Sequence, residues 1–179
     1  MFAAFLQSSL VRLIPVGVLL LAIQRTVFVD IEVSGVIVQV VLAFVAAAGA
    51  SGGSERGAVV GFVLGSMYDL VEGTPLGSTA IAFTVAGIVA GLLALIAADP
   101  QWWLKAIFVG VGCAAGEAMQ SVVRLFIGEE NPWPADMAKV VLIVGLAGAA
   151  MSPVLLPLSR WCLKIRGPAW TAPAEQPPA

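Results

Sequence analysis

Residues 57–77 read GAVVGFVLGSMYDLVEGTPLG. Glycine recurs at every fourth position, at Gly57, Gly61 and Gly65, which places all three on one face of a helix. Small residues on one face let two helix backbones approach closely, and such contact holds helices together in lipid. The stretch therefore predicts an apolar helix that packs through glycine and ends at a turn containing glycine and proline.

The same spacing recurs later in the chain, at Gly87 and Gly91 and again at Gly112 and Gly116. Two interpretations are open: the stripes pack helices of this one chain, or one stripe is a docking face for a helix of a partner protein. The residues to which these two interpretations apply are Gly57, Gly61, Gly65, Asp69, Gly73, Gly77, Gly87 and Gly91.

The composition predicts a membrane protein. Of 179 residues, 60% are hydrophobic and 11% are charged, whereas a soluble domain carries about 25% charged residues. The net charge of −2 gives no basic footprint for nucleic acid. Histidine is absent, which removes the commonest metal ligand and general base. We therefore expect an all-α, polytopic integral membrane protein that is not an enzyme and has no catalytic residue, bound metal or cofactor.

Six apolar segments are each predicted to form a transmembrane helix, at residues 13–29, 33–50, 57–71, 76–98, 102–127 and 137–163. Thr74-Pro75 is a predicted start for the fourth, and Pro153 and Pro157 are expected to kink or end the sixth. Residues 1–166 form the multi-pass domain, and residues 167–179 form a Pro/Ala-rich, disordered cytoplasmic tail. The third segment, about 23 Å long as a helix, could also be a re-entrant element.

Charge bias favours six spans with both termini in the cytoplasm of a bacterial cell. That topology places six of the nine Lys and Arg residues inside and three outside. If the third segment turned back, four would lie inside and five outside. The outward-facing loops are then 69–74 and 129–133.

Three polar residues of the fifth segment share a helix face: Glu117, Gln120 and Arg124. Glu117 and Arg124 lie about 10 Å apart along the axis, too far to pair directly, and Gln120 could bridge them. An ionisable residue at membrane depth faces protein or water. Three interpretations are open: a buried polar network, a partner contact or a transport site.

Two carboxylates close the third segment, Asp69 and Glu72. A negative charge is unfavourable at a helix C-terminus and favourable at the N-terminus of the next helix. We expect Asp69 to stabilise the start of the fourth segment. Arg25, at the end of the first segment, is a second possible partner for these acids.

Residues 61–77 resemble the core of the rod shape-determining proteins of the MreD family. The shared pattern is Gly61-Phe62, a glycine three residues on, the pair Tyr68-Asp69, then Gly73 and Leu76-Gly77. Residues 21–26 are similar to the end of the family's first helix, and residues 124–134 are similar to actinobacterial members. The chain departs from the family at residues 30–35, where many relatives have a Pro-Asp pair, which puts contacts through that pair in doubt.

The resemblance implies a non-enzymatic component of the machinery that elongates the cell wall and sets cell shape. It implies a single-pass scaffold of the MreC type as partner, with the MreB filament and the wall-synthesising enzymes nearby, all in contact with membrane lipid. The family is also similar in architecture to substrate-binding subunits of vitamin transporters. A small-molecule uptake subunit is therefore the alternative function, and Glu117 is the residue that would suit its ligand site.

Overall fold

The computed structural model describes residues 9–26, 32–33, 36–96, 101–128 and 136–164. Over these residues the chain forms six α-helices and one short hairpin. They are α1 (Ser9–Thr26), β1 (Glu32–Val33), β2 (Val36–Ile37), α2 (Val40–Gly52), α3 (Ser54–Glu72), α4 (Ser78–Ile96), α5 (Trp102–Ile127) and α6 (Met137–Cys162). The all-α fold class is confirmed. The predicted tail at 167–179 lies outside the described residues.

Successive helices run in opposite directions, so the bundle has two ends. One end contains Thr26, Glu72, Ser78 and Ile127, and we call it the cavity end. The starts of α3 and α5 and the terminus of α6 at Cys162 lie at the other, which we call the notch end. Contacts between helices agree with this alternation. Arg25 pairs with Glu72 at the cavity end, and Arg12 lies over the Trp161 ring at the notch end.

The second predicted segment, 33–50, is wrong at its start. Glu32–Val33 and Val36–Ile37 pair as antiparallel strands, and α2 begins only at Val40. Burial alternates along the second strand, with Val36 and Val38 buried and Ile37 exposed. This period of two is typical of a strand, and a short apolar run rich in valine cannot be assigned to helix or strand by hydropathy alone.

Other helix starts also differ from prediction: α1 begins at Ser9 and not at residue 13, and α3 begins at Ser54 and not at residue 57. Helix α4 begins at Ser78 and not at Thr74-Pro75, because an acid from α3 caps it, as described below. Helix α6 continues through Pro153 and Pro157 to Cys162, so neither proline ends it. The third segment is a continuous helix of 19 residues, about 28 Å long, and it runs antiparallel to α4 over its length.

Helix α2 forms the centre of the bundle. Every residue from Val40 to Ala50 is buried, and α2 contacts α3, α4, α5 and α6. A helix that is hydrophobic all round is one that other helices enclose. Its 13 residues span about 20 Å, and Gly53 is the one residue between it and α3. The tight connection fixes α2 and α3 as an antiparallel pair.

Large apolar side chains also cover the outside of the bundle. More than half of the surface of each is exposed for Leu19 on α1, Phe62 and Leu70 on α3, and Leu146 and Val154 on α6. Within the described ranges, two helices, α5 and α6, are long and apolar enough to cross a membrane. Such an exterior is unusual for a soluble monomer, whose apolar patches are few and small.

Candidate functional site

The glycine stripes of α3 and α4 face each other. A Cβ added at Gly57 would meet the carbonyl of Gly87, and one added at Gly87 would meet the carbonyl of Gly57. The other pairs run along the same contact: Gly61 against Phe83, Gly65 against Ala80, and Gly91 against Ser54, in each case backbone on backbone. At these five glycines, the stripes pack two helices of this chain against each other. The face that they form is filled by this chain's own helix and has no room for a partner helix.

Asp69 joins α3 to α4, as the sequence predicts. Its side chain is 1% exposed. Oδ1 accepts hydrogen bonds from Thr74 Oγ1 (2.9 Å), Ser78 Oγ (3.1 Å) and the Thr79 amide (3.0 Å). Oδ2 accepts from the amides of Gly77 (2.8 Å) and Ala80 (3.4 Å). The carboxylate thus satisfies donors at the start of α4, where a negative charge is favourable.

Gly73 and Gly77 are turn residues. Their φ angles are +71° and +100°, in the region that residues with a Cβ rarely adopt. A Cβ at either position would have nothing within 4 Å. These two candidates therefore serve the turn between α3 and α4 and not a helix contact. The amide of Gly73 also donates to the carbonyl of Asp69 (3.0 Å), so the same residue ends one helix and starts the next.

Glu72 has a different partner from Asp69. Arg25 Nε lies 3.3 Å from Glu72 Oε1, and Arg25 Nη2 donates to the carbonyl of Val71 (3.2 Å). The sequence indicates two possible partners for these acids, the start of the fourth segment and Arg25. The structure assigns it to the partly exposed Glu72, whereas the buried Asp69 binds the helix start.

The polar network on α5 includes a residue that the sequence reading missed. Gln39 Nε2 donates to Glu117 Oε2 (3.2 Å) and to Gln120 Oε1 (3.4 Å). Gln39, the residue before α2, therefore connects Glu117 to Gln120. Among the described residues, Gln39 Oε1 is the buried side-chain oxygen or nitrogen that has no hydrogen-bond partner. In the sequence, this contact is indicated only by the single glutamine in the apolar run VIVQVV, residues 36–41.

A polar cavity of about 210 Å³ lies beside this network at the cavity end. It is bounded by the end of α3, the turn to α4 and the second half of α5. Its polar lining includes Gln39, Tyr68, Glu72, Thr74, Ser78, Gln120 and Arg124. Gln120 and Arg124 thus meet at one cavity, and Glu117 lies behind it through Gln39. We take this cavity as the candidate site.

Two residues at the cavity end couple α1 to the rest. Gln24 is 5% exposed, and its Oε1 accepts from the amide of Val41 at the start of α2 (3.1 Å). Its Nε2 donates to the hydroxyl of Tyr68 (3.5 Å), and the Tyr68 ring packs against Phe83 at 5.7 Å. The Tyr68 side of the cavity is therefore held by α1 and α4 together.

The chemistry of the cavity is hydrogen bonding with mixed charge. In the part of the chain that the structure describes, no three His, Cys, Asp or Glu side chains cluster as metal ligands would. Amide, hydroxyl, carboxylate and guanidinium groups line one small space. Such a space suits recognition of a polar group.

No protein-family model, curated protein or solved structure gives a significant match to this chain.

Proposed function

We propose that this chain is a six-span bacterial cell-membrane protein of the MreD type, which binds and orients partner membrane proteins during cell-wall elongation. The observation that carries the membrane assignment is the exterior. Large apolar side chains such as Leu19, Phe62, Leu70, Leu146 and Val154 point outward, away from a core that is already filled. In lipid that exterior is fully solvated and needs no protein cover. The wall-elongation role rests on the resemblance of residues 61–77.

The proposed orientation puts the cavity end outside the cell and both termini in the cytoplasm. Its support is the distribution of Lys and Arg, six inside against three outside. The notch end carries Arg12, Arg56, Lys105, Arg160 and Lys164 among the residues that the structure describes. The polar cavity would then face the periplasm, where a scaffold of the MreC type has its bulk.

The docking position that we propose for a single-pass partner helix is the groove between α1 and α3. The glycine face is closed, so a partner must use an open surface. An apolar cavity of about 390 Å³ separates the two helices. Val18, Leu21 and Met67 line it, and Leu70 is 70% exposed at its rim. Arg25 lines the same groove at the cavity end, where it can contact a polar residue of the partner.

Filling this groove should abolish partner binding without unfolding the protein. We expect Val18→Trp and Leu70→Trp to express and purify normally, because both side chains are exposed. Overpacking a contact costs about 1–3 kcal/mol, or about five- to more than a hundredfold in affinity. Co-purification with an MreC-type protein should fall accordingly, and elongated growth should not return in a strain depleted of the native protein.

Leu146→Trp on α6 is the matched control, since Leu146 is also an exposed leucine on an apolar face. It should retain the partner and restore growth. Equal binding by all three variants would place the partner elsewhere. Two results together would exclude the proposed function. Wild-type protein would never co-purify with such a partner, and cells depleted of the native protein would keep their normal shape.

The second candidate function is binding of a small polar molecule, as in a transporter subunit. The observation that favours it is the unpartnered Gln39 Oε1 beside the cavity. A buried acceptor without a donor is unfavourable by about 1–3 kcal/mol, and a ligand N–H or O–H would remove that penalty. Screening purified protein against vitamins for thermal stabilisation tests this function directly.

Substitutions at Glu117 separate a structural network from a ligand site. Glu117→Gln should have little effect on folded yield, because the amide oxygen can still accept from Gln39 Nε2. Glu117→Leu should lower the yield, since it removes the closer of the two acceptors of Gln39 Nε2 and leaves only the longer hydrogen bond to Gln120 Oε1. Yields are measured by size-exclusion of detergent-extracted protein. A Gln variant with normal yield and no function would instead indicate a role for the negative charge, as in ligand or proton binding.

A further inference from the structure

A second opening lies at the notch end, far from the candidate site. It is a cavity of about 510 Å³ between the first turns of α5 and the last turns of α6. Pro153, Leu156 and Pro157 of α6 form one wall, and Trp102, which is 76% exposed, stands at the rim on α5. We call this opening the basic notch.

Two cations line the basic notch, Lys105 from α5 and Arg160 from α6. Two other cations of the bundle are engaged: Arg25 pairs with Glu72, and Arg12 lies over Trp161. Within the described ranges, neither Lys105 nor Arg160 has an ion pair or a side-chain hydrogen bond. The described lining of the notch contains no carboxylate. Its described lining therefore presents two positive charges with no acid between them.

We propose that the basic notch binds the headgroup of an anionic glycerophospholipid. The phosphodiester would lie between Lys105 and Arg160, and arginine in particular matches the geometry of phosphate oxygens. A zwitterionic headgroup brings an ammonium group, for which the described lining offers no carboxylate. Basic pockets between helices at this level of a membrane protein are typical sites for anionic lipids.

The surroundings of the notch fit the rest of a lipid. Ile107, two residues after Lys105 on α5, and Val154, next to Pro153 on α6, are 48% and 71% exposed. They provide an apolar surface along which acyl chains can lie. An amphipathic ring such as that of Trp102 sits at the level of lipid headgroups. This inference rests on the membrane embedding proposed above, but not on the choice of partner protein.

The test is lipid retention by full-length protein in detergent, measured by native mass spectrometry and by thermal unfolding. Dioleoyl phosphatidylglycerol, dioleoyl phosphatidylcholine and inorganic phosphate are the three probes. Each cation near a lipid surface contributes about fivefold, so wild-type protein should prefer phosphatidylglycerol by about thirtyfold. The double variant Lys105→Gln/Arg160→Gln should lose that preference. Lys139→Gln, an exposed cation at the cavity end, should keep it.

Three outcomes would overturn the proposal. They are equal retention of the two lipids by wild-type protein, unchanged preference in a monodisperse double variant, and stabilisation by inorganic phosphate equal to that by phosphatidylglycerol. The last would indicate a soluble anion as the ligand. None of them affects co-purification with a partner at the groove between α1 and α3, so failure of this inference is distinguishable from failure of the proposed function.

Discussion

Replacing Gly61 by leucine should strongly lower the yield of folded protein. A Cβ at this position would overlap the backbone carbonyl of Phe83, and backbone cannot move aside as a side chain can. Helices α3 and α4 would have to separate, which removes the contacts of Gly57, Gly65 and Gly87 as well. Overpacking a core costs about 1–3 kcal/mol where neighbours adjust. We expect at least about 3 kcal/mol here, or a hundredfold shift toward unfolded protein.

The measurement is the monodisperse fraction of detergent-extracted protein by size-exclusion chromatography. Ala150→Leu is the matched control, because Ala150 is an exposed small residue in the middle of α6. It should give normal yield. A well-folded Gly61→Leu protein that fails to bind its partner would restore the docking interpretation of the glycine face.

Replacing Asp69 by alanine should be the most destabilising change among the acidic residues. The substitution leaves the amides of Gly77 and Thr79 without their acceptor in a buried place. Hydrogen bonds to a charged group contribute about 1.5–3 kcal/mol each, and an orphaned donor costs about 1–3 kcal/mol. Because these terms do not simply add, we expect a loss of about 3–5 kcal/mol.

Thermal unfolding in detergent measures the effect, and Glu72→Ala on the same helix is the control. The side chains of Glu72 and Arg25 are 29% and 47% exposed, and surface pairs of this kind contribute about 0–1 kcal/mol. The two variants should therefore differ by several degrees or more in midpoint. Equal midpoints would mean that Asp69 does not hold the start of α4.

Long apolar segments could be predicted from the sequence because length and hydropathy define them. Helix α5 has the predicted bounds, 102–127, and α6 differs by one residue. The role of Asp69 followed from charge and helix polarity. The start of α4 was misplaced for a related reason: Thr74-Pro75 is a typical local cap, but the acid that caps the helix comes from the preceding helix.

The candidate site was predicted less completely, because it depends on contacts between distant residues. Glu117, Gln120 and Arg124 share a helix face, which periodicity reveals. Gln39 reaches Glu117 across 78 positions, and no local pattern encodes that contact. The hairpin before α2 was missed because each strand has two residues and residues 36–38 are all apolar, so the sequence shows no alternation, although burial alternates there in the structure. Likewise, glycine spacing indicates close packing but does not say which helix fills the stripe.

In the proposed membrane embedding, the complete enclosure of α2 has a consequence for how the bundle assembles during synthesis. Helix α2 is synthesised second, and at about 20 Å it is shorter than the roughly 30 Å hydrocarbon layer. With Gly53 as the single connecting residue, we expect α2 and α3 to enter the bilayer as one hairpin. Helix α6 is synthesised after the other described helices, and its Ser159 donates to the Ala47 carbonyl of α2 (3.3 Å). Until α6 is synthesised, α2 lacks that cover, so chains that stop before α6 should be substrates for membrane quality-control proteases.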